Sequence, residues 1–142
     1  MMLKVIAAAA LVLIAVPAAA QGARPVPVPC ERACMGNLAG QLLDALAAHD
    51  ASRLPLAPTA RYTELGPAMG FDNGLWQTAS KVGAYRHVIA DPASGQFGVF
   101  ATLDEQGHGV TLGARVRIEL GWITEVEVVT YRVGAGAARS WC

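Results

Sequence analysis

The chain has 142 residues, with 11 basic and 11 acidic side chains and a formal net charge of zero. No basic surplus exists to neutralise phosphates, which argues against nucleic acid as a partner, and the length suits one domain. Charged residues make up 15% of the chain and aromatics 6%, so a stretch dense in both stands out.

Residues 1–20 read as a secretory signal peptide. Lys4 supplies the positive start, Val5–Val16 the apolar run and Ala18–Ala20 the small-residue cleavage pattern. Cleavage after Ala20 implies a periplasmic or secreted protein with no membrane attachment. Residues 21–29 form a Pro-rich linker, because Pro25, Pro27 and Pro29 alternate and favour an extended path. Cys30, Cys34 and Cys142 are an odd number for an oxidising compartment. Either Cys30 and Cys34 close across the first helical turn, or one of them clamps the tail through Cys142.

Cys34, Leu38, Leu42 and Ala45/Leu46 recur at helical spacing, which predicts an amphipathic helix over 30–49. Asp50 and Ser52 are capping residue types, and Leu54-Pro55-Leu56 ends any short second helix. From Arg61 the period becomes two. Strands are predicted at 60–65, 84–90, 96–104, 109–120 and 122–133, with a long irregular stretch over 66–83. The last strands are joined by short turns and should run antiparallel. Val110, Leu112, Ala114, Val116, Ile118 and Leu120 form one apolar face of their strand. Residues 134–142 are a small-residue tail.

The run 61–98 concentrates the chemistry. His87 is a candidate general acid/base because it titrates near neutrality. It shares a strand face with Tyr85, Ile89 and Asp91. Glu64 is a second candidate, a carboxylate at same-face spacing from Tyr62. Tyr62 and Tyr85 carry hydroxyls for a substrate oxygen, Trp76 a ring for stacking, and Arg115 a guanidinium for a carboxylate. The opposing readings are structural: Trp76 as a plug, the arginines paired to Glu119, Glu125 or Glu127, and Glu64 bonded to loop backbone. His49, His87 and His108 lack ligand spacing, so no metal site is expected. Gly107–Gly109 does not link a strand to a helix, and no Gly-x-Ser-x-Gly occurs.

Several phrases in order, Ala45-Leu46 through Ser52-Arg53-Leu54-Pro55-Leu56-Ala57, Tyr62-Thr63-Glu64, Gly74-Leu75-Trp76, Tyr85-Arg86, Asp91-Pro92 and Ser94-Gly95, carry a resemblance. Over Cys30–Val133 the chain resembles the NTF2-like superfamily, in its SnoaL-like group, and within that a set of small secreted members. The resemblance implies an α+β fold: a cone made by an N-terminal helix packed on a curved, mainly antiparallel sheet. It implies a small-molecule pocket over residues 30–133, no cofactor, and a homodimer paired through the exposed sheet face. The superfamily holds lyases, isomerases and dehydratases beside plain binding and dimerisation modules. Its enzymes often place Asp with His or Tyr in the cone, and no fixed-spacing motif here marks such a pair. Two functions are expected on these grounds. One is cofactor-free acid/base catalysis by His87 or Glu64; the other is non-catalytic holding of a small apolar or ring-containing molecule. Tyr62, Glu64, Trp76, Tyr85 and His87 are expected to converge at the cone's mouth.

Overall fold

The computed structural model describes residues 23–132. The predicted signal peptide and the tail with Cys142 lie outside them.

Helix α1 (Arg32–Ala47) lies inside the predicted span and buries Met35, Leu38, Ala39, Leu42, Leu43, Ala45 and Leu46. The Glu31 N-cap makes no side-chain capping bond. Instead a Cys30–Cys34 disulfide, with Cα atoms 5.3 Å apart, ties the entering chain to the first turn. At the other end His49 takes φ 56°. Its N–H donates to Leu46 O, and Asp50 N–H reaches back to Ala45 O at 3.0 Å. This is a Schellman closure with histidine where glycine is usual. Asp50 then caps a single 3₁₀ turn, Ala51–Arg53, by accepting from the Ser52 amide and hydroxyl.

Six strands follow: β1 (Leu56–Glu64), β2 (Ala68–Met69), β3 (Ala79–Asp91), β4 (Gln96–Glu105), β5 (His108–Glu119) and β6 (Trp122–Arg132). A one-turn helix, α2 (Leu75–Thr78), precedes β3. The strands form one sheet in the order β2-β1-β6-β5-β4-β3. β3 to β6 pair antiparallel in sequence, as their short turns require. β1 lies parallel to β6, which local pattern does not reveal. The result is the expected α+β cone, an N-terminal helix packed on a curved, mainly antiparallel sheet. Register irregularities in β1, β3 and β5 bend the sheet around the helix.

Two expectations about local structure need correction. Leu120 does not end the apolar face of β5 and is 86% exposed. Leu120 and Gly121 both have positive φ, at 50° and 84°, because they are the two central residues of a tight hairpin turn. The irregular stretch also ends earlier than expected, since β3 starts at Ala79. Its first residues pair with β4 through shifted registers. Gly83 lies so close to Thr102 that a methyl group there would stand 2.2 Å from the threonine hydroxyl. A strand built this way carries no alternating signal.

The core lies between α1 and the concave face of β4, β5 and β6, with Phe97, Val99, Ala101, Leu103, Val110, Leu112, Val116, Ile123, Val126 and Val128 buried. Tyr62, Leu75 and Trp76 belong to the same core. Among the described residues no helix is long and apolar enough to cross a membrane.

Candidate functional site

The end of β1 delivers Tyr62 and Glu64 to the inner face, 1% and 6% exposed. The Tyr62 hydroxyl donates to Glu64 Oε2 at 2.9 Å. The Leu75 amide, at the start of α2, donates to the same oxygen at 2.8 Å. Arg132 Nη2 donates to Glu64 Oε1 at 3.1 Å from the far end of β6. Every oxygen of the buried carboxylate is therefore engaged, as burial demands.

Arg132 extends the cluster. Its Nε and Nη2 also donate to Glu105 at the end of β4, and Glu105 accepts the Thr78 hydroxyl. The Arg132 hydrogen bond holds the Glu105 carboxyl below its usual pKa, and the carboxylates raise that of the guanidinium. Burial, then the Glu64 charge, raises the pKa of the Tyr62 phenol, so it stays protonated and donating.

Trp76 is 1% exposed and packs edge-on against Tyr62, with ring centroids 6.2 Å apart. Phe71 completes the aromatic group at 5.4 Å from Tyr62 and 5.6 Å from Trp76. The buried Trp76 Nε1–H has no acceptor among the described residues. This donor is the unsatisfied part of an otherwise closed polar cluster.

The structure thus brings Tyr62, Glu64 and Trp76 together and sends the other candidates elsewhere. His87 lies across from Phe100 on the β3–β4 ladder. Its partners in the pattern, Tyr85 and Ile89, are each 56% exposed on the outer sheet face. The expectation that Tyr85 and His87 line the cone's mouth is corrected accordingly. Alternation groups these residues on one face correctly, but α1 covers the other one, where Val88 and Ala90 pack against the core.

Arg115 is also on the outer face. Its Nε donates to Glu127 at 2.8 Å, its Nη1 to Gln96 at 2.6 Å and its Nη2 to Glu125. Arg61 reaches Glu125 as well. These bonds raise the Arg115 pKa and lower those of Glu125 and Glu127. Arg115, Glu127, Phe100, Gly113 and Val129 border a shallow hollow of about 230 Å³.

Glu105, Thr78 and Phe71 were not singled out by the sequence pattern. Glu64 and Arg132 are 68 positions apart, and only the strand order makes them neighbours. Among the described residues no group of three or more His, Cys, Asp or Glu could hold a metal ion.

The chain belongs to the DUF8021 family, described as a domain of unknown function, whose model matches residues 29–130. No curated protein matches the sequence. Two of the solved structures similar to the chain are AclR and an epoxide hydrolase. AclR, a proposed hydroxylase from Streptomyces galilaeus, is 15% identical, with 70% of this chain and 80% of that one covered and a TM-score of 0.41. An LEH-like epoxide hydrolase of M. tuberculosis is 17% identical, with 68% and 76% covered and a TM-score of 0.38.

Proposed function

We propose that this chain is a secreted or periplasmic NTF2-like domain of the SnoaL-like kind that holds a small, ring-containing molecule at the aromatic end of its cone. The supporting observation is a buried Trp76 N–H without a partner among the described residues, on a ring packed against Tyr62, whose hydroxyl donates to the buried Glu64 carboxylate. Apolar packing alone would fill this space at lower cost than a buried carboxylate, a phenol and an indole donor. Such convergent polar groups among aromatic rings are what a small-molecule site uses for orientation. The leader-like residues 1–20 support export, and the outward group Tyr85, Ile89, Phe100, Val129 and Tyr131 supports pairing with a second copy.

Native mass spectrometry of the protein purified from its source tests this reading. A retained small molecule, absent from a Glu64→Gln preparation, is the expected result. Bare mass in both preparations, with no ring compound raising the melting midpoint, would sink it. The same spectra give the oligomer, and a monomer at micromolar concentration would remove the dimer. Intact Met1 would remove the export.

A second reading is favoured by the 2.9 Å contact between Tyr62 and Glu64. The phenol stays protonated and orients the carboxylate, which places Glu64 as the base of a cofactor-free lyase, isomerase or dehydratase. Turnover lost in Tyr62→Phe while ligand is still retained would select catalysis over holding. His87, on the outer face, has no part in either reading.

A further inference from the structure

The aromatic end of the cone is shut by one stretch of chain, and its polar fastenings are few. Leu65–Thr78 leaves β1 through two residues with positive φ, Leu65 at 53° and Gly66 at 109°, and turns inward at Gly74, with φ 59°. It pairs with β1 through only two register positions, Met69 opposite Tyr62 and Ala68 opposite Thr63. Next to the hinge, the Leu65 N–H donates to Val128 O and Pro67 O accepts the Glu64 N–H; beyond it the fastenings are carboxylates. Glu64 accepts the amide that opens α2, and Glu105 accepts the hydroxyl that closes it. Arg132 grips both carboxylates. One guanidinium on β6 therefore couples both ends of α2 to the sheet. The fit at the first fastening is close: a methyl group on Gly74 would stand 2.2 Å from Glu64 Oε2.

This stretch also carries the plug. Leu75 and Trp76 are fully buried and Phe71 is half-buried. The Trp76 N–H gains no partner in that position. A donor stranded in the closed state and hydrated in an open one biases the stretch towards opening.

We propose that Leu65–Thr78 is a hinged lid over the cone and that Arg132 is its latch. The proposal rests on the reading of the cone as the binding site and states how that site is reached. Opening turns Phe71 and Trp76 outward and removes the Leu75 amide from Glu64 Oε2. Tyr62, Glu64 and Arg132 stay on the sheet. The exposed pocket then offers a ring-sized space and a carboxylate acceptor, which fits a flat guest bearing an N–H or O–H group.

Hydrogen exchange on the full chain tests the lid. The amide of Leu75 is bonded across to Glu64 on β1, so its exchange reports lid opening. The amides of Leu112 and Val116 in β5 report global unfolding. The expected result is lid exchange at least about a hundredfold faster than that of β5, from local opening. Arg132→Met should raise it about tenfold further and leave the gap between β5 exchange and measured global stability unchanged. Glu105→Gln keeps the acceptor for Thr78 and removes only charge, and should give a smaller rise if Arg132→Met folds poorly. Lid amides that exchange together with β5 in the wild type and in both variants would overturn the proposal. Independent lid opening with no ring compound bound would uphold the lid and overturn the binding reading.

Discussion

The aromatic end of the cone and the outer sheet face contain the same chemical unit in opposite settings. In each, one arginine bridges two glutamates: Arg132 between Glu64 and Glu105, Arg115 between Glu125 and Glu127. Inside, Glu64 is 6% exposed and also serves a phenol and a backbone amide. Outside, the Glu127 side chain is 41% exposed and that of Arg115 is 37%. Water can replace Glu127. It reaches the Glu64 carboxylate poorly, because that side chain is buried. The difference lies in desolvation rather than in the number of bonds, and it marks the inner unit as the one with consequences for fold and ligand.

The largest effect should separate the two units directly. Glu64→Ala strands the Tyr62 hydroxyl and the Leu75 amide, while Arg132 keeps its bonds to Glu105. At about 1–3 kcal/mol for each buried group left without a partner, a loss of about 3 kcal/mol is expected. Glu127→Ala should cost less than about 1 kcal/mol. Urea unfolding of both variants measures the contrast, and equal losses would erase it.

A smaller effect follows from pH. Glu105 is held below its usual pKa by Arg132, so its contribution is present above the unfolded carboxylate value of about 4.3 and disappears as pH falls through the folded value. Tyr62 is shifted the other way. Its contribution is present below the unfolded phenol value of about 10 and is lost as pH rises beyond it. The urea midpoint should therefore fall on both sides, and Glu105→Gln should flatten the acid limb and Tyr62→Phe the alkaline one. Glu125 and Glu127 add to the acid limb, but salt should weaken their share first, because screening acts most on exposed pairs. An acid limb that Glu105→Gln leaves unchanged would place the labile charges outside the cone.

The smallest effect concerns the outer face alone. His87→Ala should shift stability by no more than about 0.5 kcal/mol and leave ligand retention unchanged, since His87 is exposed and makes no side-chain hydrogen bond among the described residues. Loss of retained ligand in this variant would move the site to the outer face.

Much of the architecture was legible because periodicity is a local property. The spacing of Leu38, Leu42 and Leu46 marked α1, and the alternation from Val110 to Ile118 marked the buried face of β5. Tyr62 and Glu64 were recognisable as same-face neighbours, and residues two apart on a strand must be so. Closure of Cys30 onto Cys34 was one option beside a clamp through Cys142, and it is the one observed. Alternation could group Tyr85 with His87, but it carries no sign that says which face turns inward. That was decided by where α1 lies. The parallel docking of β1 on β6 was decided in the same way, and it set Glu64 within reach of Arg132. The sequence by itself determined which side chains travel together on each element. Only tertiary structure decided which of those groups lost their water, because desolvation depends on what the distant parts of the chain place on top of them.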